Sequence, residues 1–282
     1  MPSVGTVQLL QVYEENETGY LLGDQQNHVL LPKEQVDKQL SLGEYINVFI
    51  YHDRNNEIVA TTNIPSIQMN TYDWAEVVEV IPHLGVFVDI GIEKDILVSI
   101  DDLPLIFDVW PKAGDQLYVT LGNDQDGRLL AIPAQDKVFM EMRELANDDL
   151  RNQQVTGRVY YTSREGTAIF TDDHLRGFIH HTEREQEPRL GSVVRGRVID
   201  VKDDGTINVS LLPLKHERID DDAELILAEL EKNNGVIPFS DKSDPETIRN
   251  TFGISKSAFK RALGRLMREG KIEQRDGKTY LI

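Results

Sequence analysis

Along roughly the first 210 residues, apolar and polar positions alternate in short runs broken by Gly, Asn and Asp, the signature of half-buried strands joined by tight turns. The pattern recurs. GTVQLLQVYEENETGYLLG from Gly5, WAEVVEVIPHLGVFVDIG from Trp74 and VTGRVYYTSREGTAIFTD from Val155 open alike. Each continues with a short apolar strand, HVLLP, DILVSIDDLP or RGFIHHTER. Each then closes with Leu-Gly or Ala-Gly, a long strand, a polar turn and a last strand. A repeat of about five strands in about 60 residues points to small closed barrels of the OB type, since closure leaves no sheet edge exposed. Three barrels are predicted, over residues 1–63, 70–134 and 152–214. Val138, Met142 and Leu145 fall near helical spacing, which predicts a connecting helix over 135–150.

The last stretch, residues 218–282, changes period. Residues 222–233 read as a helix stopped by Asn234-Gly235, and Val236 to Phe239 as a short strand. Asp244-Pro245 opens a second helix that Gly253 ends. Ser255 caps a third, running through Glu269 to Gly270. KIEQR, Asp276-Gly277 and KTYLI then form a hairpin around a two-residue turn. Helix, strand, helix, helix, hairpin is the order of a winged helix. The fold class is therefore mainly β, three tandem five-stranded OB barrels followed by a C-terminal α/β winged-helix module.

Composition narrows the chemistry. Of 282 residues 40% are hydrophobic and 28% charged, and none is cysteine, which excludes a disulfide scaffold, a thiolate metal site and a thiol nucleophile. The N-terminal MPSVGTVQLL has no basic stretch followed by a long apolar one, and no apolar run approaches a membrane span, so a cytoplasmic protein is expected. The formal charge of −18 argues against a protein that coats nucleic acid non-specifically. That average hides a gradient. Residues 1–70 carry 3 basic and 9 acidic side chains and residues 71–150 carry 5 and 17, whereas residues 253–282 carry 8 and 3. A polyanion is expected to meet the C-terminal half.

Candidate binding residues follow from that gradient. In the third winged-helix helix, Phe259, Ala262, Leu263, Leu266 and Met267 fall at core spacing. Lys256, Lys260, Arg261, Arg265 and Arg268 occupy the other faces, and Lys271, Arg275 and Lys278 continue the charge into the hairpin. Such a face suits phosphate contacts; it also suits a solvated helix side or a protein-docking winged helix. The third barrel adds Arg158, Tyr160, Arg164, Arg176, Phe178, His180, Arg184, Arg195, Arg197 and Lys202. Arginines interleaved with aromatics offer stacking platforms for unpaired bases and cations for the backbone. Strand alternation places Arg158 with Tyr160, and Phe178 with His180, although a barrel this small also needs aromatic filling.

Enzyme-like signals fail on spacing. His174, His180 and His181 lack a partner ligand at a familiar separation, so no metal or other cofactor is expected. Asp203-Asp204-Gly205 reads as a turn and Asp220 to Asp222 as a helix lead-in rather than metal carboxylates. Gly264 to Lys271 has the wrong spacing for a phosphate loop, with Ile272 where Ser or Thr is required.

The repeats resemble the RNA-binding OB fold named after ribosomal protein S-one. Its pattern runs from a Gly-Val strand through an aromatic strand and a Gly-aliphatic-Val-His-x-Ser strand to an Asp-x-x-Gly-Arg turn. The resemblance implies an RNA face of two aromatics, the histidine, the aspartate and the arginine. The second barrel keeps Phe87, Asp124 and Arg128, with Leu84 and Ser99 at the other aromatic and the histidine positions. The third keeps His180, with Glu165 and Ala168 at the aromatic positions and Lys202 and Thr206 at the aspartate and arginine positions. The first has Pro32 at the histidine position. Three such barrels and a winged helix are together similar to the conserved virulence factor B family, also called YitL-like. That similarity implies a non-enzymatic, cytoplasmic bacterial RNA binder acting post-transcriptionally. The expected partner is single-stranded RNA, bound by the third barrel and winged helix. An adaptor for the ribosome or a basic protein, docked on the acidic barrels, and a winged-helix DNA-binding regulator are the alternatives.

Overall fold

The computed structural model describes residues 3–36, 38–213 and 215–282, with the backbone alone for 215–220. The expected limits at residues 1 and 214 lie outside them. Residues 1–211 and 212–282 form two separate compact units.

The first unit holds three closed five-stranded barrels. The first comprises β1 (Val7–Glu15), β2 (Gly19–Gly23), β3 (His28–Pro32), β4 (Tyr45–His52) and β5 (Ile58–Thr61). The second comprises β6 (Asp73–Ile81), β7 (Gly85–Asp89), β8 (Ile96–Ser99), β9 (Gln116–Asn123) and β10 (Leu129–Pro133). Following a helix α1 (Asp136–Met142), the third comprises β11 (Gln154–Thr162), β12 (Gly166–Thr171), β13 (Arg176–His180), β14 (Val193–Val201) and β15 (Ile207–Ser210). In each, the third and fifth strands pair in parallel, closing the barrel.

Two devices recur where the repeats align. The first strand carries a register shift in each barrel, between Val12 and Glu14, Val77 and Glu79, and Val159 and Tyr161. A bulge there bends the long strand so that it pairs with a neighbour on either side of the closure. The second strand begins with glycine each time, opposite the position where the family pattern has its histidine: Gly19 faces Pro32, Gly85 faces Ser99 and Gly166 faces His180. A Cβ would stand 2.2, 2.0 and 2.4 Å from a carbonyl oxygen of the third strand. Only a residue without Cβ lets the strands cross this closely.

The barrels do not hang as beads. Phe49, Tyr51 and Val59 of the first barrel join the core of the second, and Lys94 Nζ donates to the Asp53 carbonyl at 3.0 Å. Between the second and third barrels a separate aromatic core forms around fully buried Phe139 of α1. The helix is shorter than expected. Past Met142 the chain leaves helical geometry at Arg143, and Glu144 bridges in parallel to Leu175 of the third barrel. Leu145, expected on the helix's apolar side, is exposed instead. The amides of Glu144 and Ala146 donate to the carbonyls of His174 and Gly205 at 2.9 and 3.0 Å, so this stretch bonds to turns of the third barrel in place of its own helix.

The second unit contains α2 (Lys215–Lys232), β16 (Val236–Ile237), α3 (Pro245–Phe252), α4 (Lys256–Arg268), β17 (Ile272–Arg275) and β18 (Lys278–Leu281), with sheet order β16-β18-β17. Helix α2 starts seven residues before the expected 222, so Asp220 to Asp222 lie inside it rather than ahead of it. No Gly or Pro interrupts the chain between Pro213 and Gly235, so nothing stops the helix earlier. The Asp244 carboxylate accepts from the amides of Glu246 and Thr247, and the Ser255 hydroxyl accepts from the amide of Ala258. Asp276 and Gly277, with φ of 53° and 74°, supply the two left-handed residues that a tight hairpin turn demands. Phe259, Ala262, Leu263 and Leu266 are buried, but Met267 is 42% exposed. It sits at the edge of the apolar arc of the helix.

Candidate nucleic-acid interface

The third barrel's aromatics and arginines separate into two groups. Tyr160 is the bulged residue of β11, and its ring stacks on Phe139 of α1 at 3.8 Å. It is 8% exposed. Its hydroxyl donates to the Asp136 carboxylate and accepts from Arg176 Nε at 3.2 Å, while Arg176 Nη2 reaches Asp136 at 3.2 Å. Burial, and then the bond to Asp136, push the phenol pKa upward. Tyr160 is therefore an inter-barrel fastener, not an open platform for a base. Arg158 shares that face and that fate, with its guanidinium 5.2 Å from the centre of the Trp74 ring and a hydrogen bond to the Gly191 carbonyl. Arg184, with a side chain only 5% exposed, donates to the Thr167 hydroxyl and the Ile179 carbonyl and pairs with Glu187 at 2.8 Å. Alternation identified which residues share a face; it could not say that the face meets another barrel.

The second group is more accessible, and Arg176, mostly buried and paired with Asp136, links it to the first. Phe178 is half-buried with the Arg176 guanidinium 5.9 Å above its ring. With Arg164 they line a cleft of about 930 Å³ between the second and third barrels. Tyr161, one residue beyond the bulge and 55% exposed, lines it as well. The sequence reading missed Tyr161, because strict alternation, which the bulge breaks, pairs it with core positions. Asp101 and Asp102 form part of the opposite wall. His180 is exposed on the same face of β13 as Phe178, its Nδ1 bonded to the Thr182 hydroxyl at 2.8 Å and its ring 4.3 Å from that of His181. Arg195 and Lys202 are exposed and Arg197 half-buried, but none of the three lines the cleft.

In the second barrel, Phe87, Asp124 and Arg128 meet in a smaller cavity of about 270 Å³. Arg128 Nε pairs with Asp124 at 2.8 Å and Nη2 with Asp126 at 3.0 Å. Its own backbone amide, before its guanidinium, holds the Asp124 carboxyl low. His52 of the first barrel and Lys94 also line this cavity. They escaped notice because the repeat pattern gives them no role. Burial, then the charge of Lys94, depress the imidazole pKa of His52, whose Nδ1 has no partner.

The winged-helix cations divide in the same way. Arg265 and Lys271 converge on Glu269 at 2.7 and 2.9 Å and hold its carboxyl down to about 2, the Arg265 hydrogen bond contributing most. Arg275 lies 5.0 Å over the Tyr280 ring. Lys256 is half-buried, whereas Lys260, Arg261, Arg268 and Lys278 are exposed.

Four stretches of the chain match known domain families: residues 4–63 the S1 domain, 72–132 the CvfB first S1-like domain, 139–213 the second domain of virulence regulatory factor CvfB, and 224–281 the CvfB-like winged helix domain. Over 271 residues the chain is 45% identical to uncharacterized protein YitL of Bacillus subtilis, covering 96% of this chain and 91% of that protein. It is 37% identical over 282 residues to conserved virulence factor B of Staphylococcus saprophyticus, covering 99% and 94%. The chain belongs to the conserved virulence factor B family. A crystal structure of a multidomain protein with nucleic acid binding domains from Streptococcus pneumoniae superposes with a TM-score of 0.68 at 38% identity, covering 99% of this chain and 98% of that one. The matched domain families follow one another along this chain in the order of its three barrels and winged helix. Its S1-like domains support nucleic-acid binding as the broad function.

Proposed function

We propose that this chain binds single-stranded RNA without catalysing a reaction on it, and so acts as a post-transcriptional regulator. One observation carries the reading: Phe178, with a guanidinium over its ring, stands at the edge of an open cleft between the second and third barrels, beside exposed Tyr161 and Arg164. Unpaired bases stack on accessible rings, and cations at the rim hold the phosphates. His180 extends the same strand face, and Lys260, Arg261, Arg268 and Lys278 provide a second set of phosphate contacts in the winged helix. Of the cleft's carboxylates, Asp136 is paired with Arg176, and Asp101, Asp102 and Glu165 repel phosphate, so a base enters and the backbone stays at the rim.

The test is fluorescence anisotropy of the full chain with labelled 12-nucleotide RNA homopolymers, titrated with salt and competed with duplex DNA. Log affinity falls linearly with log salt as counterions are released. Stronger competition by duplex DNA than by single-stranded RNA overturns the reading.

A second reading, an adaptor for a basic protein, rests on a loop of the second barrel. Leu105 is fully exposed and Ile106 and Phe107 more than half exposed, with Asp101, Asp102 and Asp108 beside them. The turn is held by the Trp110 indole N–H, which donates to the Pro104 carbonyl at 2.6 Å. Exposed apolar residues on a stiff acidic loop are what a basic, partly apolar partner surface would bury. Co-purification of a stoichiometric basic protein resistant to nuclease would favour it.

A further inference from the structure

Gly264 lies in the interior of α4, on the side opposite the buried stripe of Phe259, Ala262, Leu263 and Leu266. Its neighbours on the helix surface are Lys260 and Arg261, one turn before, and Met267 and Arg268, one turn after. A Cβ at this position would meet no atom within 4 Å, and the backbone there is ordinary right-handed helix, so neither packing nor conformation asks for glycine. Glycine in a helix interior is a destabilising choice against alanine. The helix carries that cost for no return within the molecule.

The charges around the gap point outward. Lys260 and Arg261 have no ion pair among the described residues, and Arg268 Nε donates at 3.2 Å to the carbonyl of Gly264 itself, folding the guanidinium along the rim of the gap. Arg265, tied to Glu269, stands apart from this set. A bare stretch of helix backbone framed by three cations is complementary to a narrow polyanion: the gap admits the chain and the rim neutralises it.

We infer that a single phosphodiester backbone of the bound RNA crosses α4 at Gly264, with Lys260 and Arg261 on one side of it and Arg268 on the other. The inference rests on the winged helix meeting RNA, as proposed above, and adds where and how closely.

The Gly264→Ala variant of the full chain separates the possibilities, because its two readouts move in opposite directions. Helical ellipticity, which comes mainly from α2 to α4, melts about 4 °C higher. Affinity for a labelled 12-nucleotide RNA falls roughly tenfold as the added methyl lifts the strand away from its cations. A higher melting temperature with unchanged affinity overturns the inference, and if Lys260→Ala/Arg261→Ala still weakens binding, the winged helix remains an RNA contact. If that double variant also binds normally, the winged-helix part of the proposed function falls too. A lower melting temperature in Gly264→Ala makes the glycine a requirement of the fold and equally overturns the inference. Loss of affinity for duplex DNA but not for RNA reassigns the gap to a different polyanion and overturns it as stated.

Discussion

The third barrel and the winged helix carry similar mixtures of arginine and aromatic residues and use them in different ways. In the barrel, Arg158, Tyr160 and Arg184 are consumed by the architecture, two fastening it to the second barrel and one bracing its own strands. In the winged helix the aromatics Phe239, Phe252 and Phe259 pack on one another inside, and Lys260, Arg261, Arg268 and Lys278 are among the cations left outside. The difference is one of repetition. Barrels in series must cover each other's flanks, and in this chain the cover is polar as well as apolar. A winged helix closes its core alone and can spend its polar face on a partner.

The sharpest way to break the comparison is Phe139→Ala. Removing a fully buried ring that touches Tyr160, Tyr118, Trp74 and Phe170 costs about 3–5 kcal/mol. Calorimetry should show the second and third barrels melting at lower temperature while the winged-helix transition stays in place; a shift in both would mean that the fastener also supports the C-terminal unit.

Phe178 and Tyr160 offer a paired test within the barrel. Phe178→Ala should weaken RNA binding about tenfold with little change in melting, as expected for loss of one stacked base. Tyr160→Phe should do the reverse, losing about 1 kcal/mol of stability with the hydroxyl's bonds to Asp136 and Arg176 while leaving RNA affinity intact. Equal effects of the two on affinity would erase the division between fastener and platform.

The smallest expected effect concerns the paired cations of the winged helix. Glu269 titrates near 2 in the folded chain against an ordinary 4.5, so its contribution to stability is present above about 4.5 and is lost as the pH falls toward 2. Glu269→Gln should flatten that part of the acid-melting profile of the helices. Because it also releases Arg265 and Lys271, RNA affinity at neutral pH should rise slightly rather than fall.

Much of this molecule was legible from periodicity and punctuation alone. Strand alternation with repeated Gly, Asn and Asp turns identified the three barrels, and Asp244-Pro245, Ser255 and Asp276-Gly277 placed the elements of the winged helix, because caps and turns are decided by neighbours in sequence. What alternation could not convey is what lies opposite a face. Tyr160 and Phe178 look equally suited to stacking in the sequence, yet of these two residues on one cleft Tyr160 is almost fully buried under Phe139 and Phe178 only half-buried. The bulge between Val159 and Tyr161, the early end of α1 at Met142 and the neutralisation of Arg265 by Glu269 depend likewise on groups brought together by folding. The sequence by itself determined which modules form and in what order, since strand and helix periods are local. Tertiary structure alone decided which cations and rings are left exposed, since exposure is a property of the neighbouring barrel as much as of the residue.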